Sequence, residues 1–466
     1  MKMKNNSLFS EFEAVSAKQW KQKIQVDLKG ADYNETLIWE SLEGINVKPF
    51  YNAEDLGGKT NISTAKNYSW QIGQSIYAGN LELANRKAAD VLGRGATALI
   101  FELPDADVEW SLLFKNIPLS STPIHLKFHF LQLAPIQGLK EYIGNQSCEI
   151  YLHHDIIGNL GRSGNWFHNM AKDHKNLEEI VQLMDGNPSV SIISVDMALY
   201  QNAGANVVQQ LAYGLTHVNE YLNHFDSALK DAKEKPIVFN VAIGPNYFFE
   251  IAKIKALRLL WKTISTAYGL TKECHILAFP SKRNKTLYDY NVNMLRTTSE
   301  CMSAVLGGSD IVCNLPYDAI YHKDNEFGER IARNQLLLLK EESYFDEACY
   351  AAEGSYYIET LTKQLSEKAL ELFKQIETSG GFLNELKKGV IQNKIKASAI
   401  KEQQLFNEGE LVLLGTNKYQ NAQDRMKNDL ELYPFLKQYK RKTLIAPILE
   451  KRLSEALEQQ RLEEEG

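Results

Sequence analysis

From Ser69 to Asn314 the chain repeats one pattern eight times: a short run rich in β-branched and aromatic residues, then a longer stretch with apolar positions at helical spacing. The runs are Ser69–Ile76, Thr97–Leu103, Ile124–Leu131, Cys148–His153, Ser189–Asp196, Pro236–Ile243, His275–Phe279 and Asp310–Asn314. Helices are predicted at Leu81–Leu92, Gln137–Ile143, Leu177–Met184, Val207–Asn223, Tyr247–Tyr268, Val292–Leu306 and Phe327–Glu342. Strands that alternate with helices form parallel βα units. Such strands are covered on both faces, so they read as continuous apolar runs. Eight units in about 270 residues predict an α/β fold, the (βα)8 TIM barrel, whose usual size is roughly 250 residues. A doubly wound open sheet is the alternative, but Gly-x-Gly-x-x-Gly directly behind a first strand is absent.

The 466 residues extend past such a barrel at both ends, which predicts an N-terminal arm over 1–55, a barrel over 56–345 and a helical region over 346–466. In the arm, Phe12, Val15, Trp20, Ile24 and Leu28 give Glu11–Lys29 an amphipathic pattern that stops at Gly30, before an extended segment Ile45–Phe50. Trp39, Phe50 and Tyr51 are costly to leave in water, so the arm is expected to pack on a partner. Past Gly354, helices are predicted at Leu361–Thr378, from about Leu383 to Asn407, and at Ile445–Leu462, with a short β-run at Glu410–Leu414. The final Glu463, Glu464 and Glu465 read as a solvated tail.

A formal charge of −6 and a pI near 6.0 give no pull toward nucleic acid or anionic membrane. The five cysteines (Cys148, Cys274, Cys301, Cys313, Cys349) never form Cys-x-x-Cys, and no apolar run is long enough for a leader or a membrane span. A reduced, cytoplasmic chain is the expectation.

Barrel chemistry sits at the C-terminal ends of the strands, so the candidates are Glu102, His129, His153, His154, Asp155, Asp196, Asn240, Ser281 and Asn314. His153-His154-Asp155 is the most suggestive group. A metal there needs further ligands, and adjacent strand residues point to opposite faces, so a satisfied histidine pair is the simpler reading. Gly158–Gly164 (GNLGRSG), with Arg162, fits a flexible βα loop better than an anion cradle. Neither a Gly-x-Ser-x-Gly elbow, a P-loop nor His-Glu-x-x-His occurs.

Several segments stand out together. Asn291–Asn314 joins an Arg296-Thr297-Thr298 helix through Gly307-Gly308 to a buried strand. Thr36–Asp55 carries Glu-Gly-Ile and Pro-Phe-Tyr, and Tyr247–Trp261 reads YFFEIAKIKALRLLW. Glu329–Glu342 begins ERIARNQ, and Gly354–Thr362 reads GSYYIETLT. In this order they resemble the methylmalonyl-CoA mutase family over nearly the whole chain. The resemblance implies a barrel that rearranges succinyl-CoA and methylmalonyl-CoA with adenosylcobalamin. It also implies a Tyr-His pair just before Gln-Glu-Ala-Gly-Ala, an Arg-Gln-Tyr-Ala-Gly run on the first strand, and a cobalamin domain with Asp-x-His-x-x-Gly.

Here Asp196–Ala205 reads DMALYQNAGA, which puts Ala198 and Leu199 at the Tyr-His positions. The first strand has Gln71-Ile72-Gly73-Gln74-Ser75, and Tyr77-Ala78-Gly79 only partly resembles the family's run. No aspartate is followed two residues later by histidine. The resemblance therefore implies a small, non-catalytic subunit of a heterodimer, with no catalytic, cofactor or metal residue of its own and no flavodoxin-like domain. Its large partner would hold adenosylcobalamin and the acyl-CoA. The alternatives are the barrel subunit of another acyl-CoA mutase, against which Leu199 argues, or a stand-alone barrel enzyme using His129, His153 and His154.

Overall fold

The computed structural model describes residues 11–13, 15–57, 69–187, 190–225, 235–347, 351–437 and 441–465. Eight parallel strands form the expected ring: β1 (Gln71–Tyr77), β2 (Ala98–Leu103), β3 (Ile124–Phe128), β4 (Ile150–His153), β5, β6 (Val238–Ile243), β7 (His275–Pro280) and β8 (Ile311–Cys313). Strand β5 comes in two pieces. Val190–Ser191 pairs with β4, whereas Ser194–Asp196 pairs with β6. The ring closes where Ile311 of β8 lies in register with Gln71 of β1. Several strands are shorter than their sequence runs: β3 stops at Phe128 and β4 starts at Ile150, while Ser189 and Cys349 lie outside the described residues.

Alternation along each strand divides the core in two. Ile72, Ile76, Leu99, Phe101, Leu126, Ile150 and Leu152 join the main cluster under the helices, whereas Ala98, Ile100, Leu277, Ile311 and Cys313 form a separate interior cluster. Gly73 lies at the close approach inside. A Cβ there would sit 2.9 Å from both Ile100 Cδ1 and Ile311 Cγ2. Gly73→Val is therefore expected to cost ~1–3 kcal/mol by overpacking, seen as a lower urea midpoint with an unchanged slope. Gly93→Ala, a substitution into open space, is the control and should not lower the midpoint.

Helix Tyr247–Ala267 is buried along most of its length, including Phe249, Ile251, Leu257, Leu260 and Trp261. Arg258 on it reaches Gly308 O, Cys274 O and Asp310, tying the starts of β7 and β8 together. Helix Val292–Gly307 stops at the expected Gly-Gly pair for two reasons. Gly308 takes φ 89°, and a Cβ on Gly307 would meet Ile254 Cβ at 2.7 Å. Arg296 donates to Thr286 Oγ1 and Asn293 Oδ1 at 2.7 Å and to Leu414 O at 2.8 Å. Thr298 Oγ1 receives Gln335 Nε2 at 2.6 Å. The Arg-Thr-Thr segment thus fastens neighbouring elements to one another.

The two ends depart most from expectation. The arm's helix is Ala17–Asp27, started by a Ser16 capping box, and none of its residues is buried. The extended segment is a small antiparallel pair, Trp39–Glu40 with Asn46–Val47. Trp39 meets Phe249 edge-on at 5.7 Å and Tyr51 lies 5.3 Å from Tyr357, so part of the arm packs on its own chain. The Lys-rich helix is broken at Gly389, φ 76°, into Phe382–Lys387 and Val390–Glu408. The Glu410–Leu414 run forms no strand, only an isolated bridge from Leu414 to Lys418.

The last helix is Glu455–Glu464. Residues 441–454 instead form an irregular strap. Its amides donate away from helical partners: Leu444 and Ile445 to Gly164 O, Ile448 to Gly161 O, Lys451 to Asn202 O and Leu453 to Arg283 O. Pro447 explains the failed helix, because it lacks an N–H and disfavours helical geometry at Ala446.

Candidate functional site

The barrel interior is lined by polar rings. His125 on β3 lies 5.2 Å from His275 on β7, a contact between non-neighbouring strands that passes through the interior. Tyr151 of β4 stacks on both, at 4.4 Å and 4.2 Å. His125 Nδ1 lies 2.8 Å from His153 Nε2, and Asn240 Nδ2 lies 3.0 Å from His153 Nδ1. With the Asn240 amide donating, His153 carries its proton on Nε2 and donates to His125. Burial, with neighbouring histidines and Lys127 adding to it, holds His125 and His153 well below the ordinary imidazole range. Burial also lowers His275, against the pull of Asp310. Above them the Lys127 ammonium sits 4.1 Å from the centre of the Phe279 ring. The rings fill the axis.

The strand-end candidates are dispersed. His129 is exposed beyond β3, and Glu102 is half-buried beside Lys127 in the sheet register. His154 faces outward and stacks on Phe128 at 4.4 Å, with burial pushing its pKa down to about 3. His129, His153 and His154 therefore lie on three different surfaces. Asn314 Nδ2 donates to Ala332 O and Gln335 Oε1, both at 2.9 Å, and Ser281 Oγ donates to Asn202 Oδ1 at 3.0 Å. Tyr77 at the end of β1 is 57% exposed. No group of three or more His, Cys, Asp or Glu able to hold a metal ion occurs among the described residues.

Asp155 has a different task. It caps helix Ile156–Ser163 through Gly158 N at 2.8 Å and accepts from Tyr221 Oη at 2.7 Å, with His217 Nε2 at ion-pair distance, 2.9 Å. Its other oxygen takes Asp196 N at 2.8 Å, crossing the seam where the upper piece of β5 has left β4. Burial opposes ionisation of Asp155, but His217 and the donated N–H groups outweigh it and hold the carboxyl at about 2. The Gly158–Gly164 segment is helix rather than flexible loop. Its Arg162 is engaged by Asp196 and Glu450, so the anion cradle is not formed.

Leu199 lies on the short helix Ala198–Asn202 and is 1% exposed. A Cβ on Gly161 would meet Leu199 Cδ2 at 3.4 Å and Ile448 Cδ1 at 3.5 Å, so Leu199 is packed in the main core beneath the strap. Asn202, three residues on, donates to Glu450 Oε2 at 3.0 Å. The interior residues His125, Tyr151 and His275 escaped the search of strand ends. The alternation in IHLKF and IYLH, polar or aromatic against aliphatic, was the available signal.

A family model described as Methylmalonyl-CoA mutase matches residues 104–463. The chain is 35% identical to the methylmalonyl-CoA mutase small subunit of Porphyromonas gingivalis, over 90% of this chain and 72% of that protein. It is 28% identical to the methylmalonyl-CoA mutase of Cereibacter sphaeroides, over 87% of this chain and 64% of the other. Against the methylmalonyl-CoA mutase large subunit of Streptomyces virginiae it is 25% identical, covering 87% and 62%. The chain thus spans under two thirds of the length of the last two relatives.

Proposed function

The chain belongs to the methylmalonyl-CoA mutase family, and we propose that it is the small, non-catalytic subunit of a heterodimer that interconverts succinyl-CoA and methylmalonyl-CoA. The observation that carries this reading is Leu199, buried against Gly161 and Ile448 where the resemblance implies a catalytic imidazole. An aliphatic side chain there has no donor for a thioester carbonyl. The stacked rings of His125, Tyr151 and His275 in the interior support the same reading.

Adenosylcobalamin and the acyl-CoA are assigned to the large partner. The fit of this chain to the cofactor is poor. Among the described residues the sheets are the barrel and the two-stranded pair, and no Asp-x-His pair exists to ligate cobalt. The partner is proposed to receive helix Ala17–Asp27 and the residues before it, where Val15, Trp20 and Val26 face solvent at 68%, 50% and 72% exposure. A cytoplasmic location goes with this reading, and no helix among the described residues is long and apolar enough to cross a membrane.

Co-expression with a large subunit tests the pairing. The expected result is a 1:1 complex by native mass, weakened at least about tenfold when residues 1–30 are removed, in keeping with loss of one buried aromatic anchor. A large subunit that is fully active and never associates with this chain would overturn the proposal.

A further inference from the structure

The barrel interior holds three imidazoles with no use in the proposed function. We propose that they form an acid switch: when His125, His153 and His275 take up protons, the ring of strands opens as a unit, so the chain loses its fold in mild acid instead of titrating in place. The inference stands on what surrounds each ring and does not depend on the chain's pairing.

His125 is enclosed by His153 at 2.8 Å and by the faces of Tyr151 and His275, and its buried Nε2 has no hydrogen-bond partner. Two residues along the same strand stands Lys127, a cation. His153 has His125 on one nitrogen and Asn240 on the other. The carboxylate that acts on it, Asp155, is already paired with His217 and accepts from Tyr221, Gly158 N and Asp196 N. His275 Nδ1 lies 3.9 Å from Asp310, but that carboxylate is held by Arg258 and Ile276 N, and His275 Nε2 is buried without a partner. Glu149 is taken by the Tyr151 hydroxyl. A protonated imidazole here would therefore be a buried charge facing other imidazoles and a lysine, with no free counter-charge.

The sign follows from linkage. In the folded chain these histidines are held neutral, below their ordinary value. The unfolded chain binds protons on them once pH falls below ~6.5. Their contribution is thus full above that value and is lost as pH falls beneath it. Three such groups steepen the unfolding constant by up to about three decades per pH unit, and the outward-facing His154, also held neutral, adds about one more.

The test is urea unfolding of the full chain between pH 8 and pH 5, for wild type, His153→Gln and the exposed-site control His129→Gln. The expected result is a flat region above pH 7 and a steep loss below 6.5. The loss should be about tenfold per pH unit shallower in His153→Gln and unaltered in His129→Gln. A wild-type profile without the loss, or a His153→Gln slope equal to wild type, overturns the proposal. Should His153→Gln not fold, ¹⁵N-histidine spectra of the wild type decide. Three imidazoles that stay neutral until the native signals vanish support the switch, and three that titrate singly near pH 6.5 in the folded chain refute it.

Discussion

Incubated alone with adenosylcobalamin and methylmalonyl-CoA, the purified chain is expected to form no succinyl-CoA and to leave the visible spectrum of the cobalamin unchanged. A single missing electrostatic donor at a reacting carbonyl costs about 10²–10³ in rate. Here the position implied for that donor is Leu199, packed in the core, and the Asp-x-His pair that the resemblance implies for cobalt does not occur in the sequence. The loss should therefore be total. Restoring the imidazole by Leu199→His is expected to give no turnover and to lower stability by ~1–3 kcal/mol, because the new ring would be buried among Gly161 and Ile448 without a partner. Succinyl-CoA formed by the isolated chain, measured by chromatography of the acyl-CoA pool, would contradict the assignment. A chain that binds cobalamin without turnover would contradict only the placing of the cofactor.

Asp155→Asn should produce the largest loss of stability of any single substitution at the strand ends, on the order of 3 kcal/mol. Three donors and His217 converge on this carboxylate, and the amide nitrogen of asparagine would have to face one of them. The pH dependence separates this carboxylate from the interior histidines. The Asp155 pKa is about 2 in the folded chain, below the ~3.9 of an unfolded aspartate. Its contribution is therefore complete above about pH 4 and is lost as pH falls from there toward 2. The interior histidines act in a separate, higher window. The difference between wild type and Asp155→Asn should stay constant from pH 8 to pH 5, by urea unfolding. A difference that shrinks across that range would show that another group carries the effect.

The barrel was legible because its strands are buried on both faces and its helices are long. Each left a readable pattern, and Gly307-Gly308 marked a stop that holds because Gly308 takes φ 89°, while the close approach of Ile254 to Gly307 is a tertiary contact the sequence does not show. The ends were less legible. Ile445, Leu449, Leu453 and Leu457 share a helical spacing, but Pro447 disrupts it, and in the strap Ile445, Ile448 and Leu453 are buried against other elements while Leu449 stays exposed. The split of β5 carries no glycine or proline to announce it: Ile192 and Ile193 lie between Ser191 and Ser194, and the break arises from which strand each half meets. The site followed the same division. Candidate strand ends could be enumerated, but Asp155 became a tie across a seam and the histidines faced different layers, because partners distant in sequence set both outcomes.

The strap over residues 441–454 also bears on the order of events during synthesis. Its amides bind Gly161, Gly164, Asn202 and Arg283, and β1 cannot close the ring until β8, about 240 residues later, has been made. A nascent chain must therefore carry an open curl of strands with two unpaired edges for most of its translation. The seam beside β5 is sealed last, by a segment that adds Ile445 and Ile448 to the core when everything it fastens is already in place.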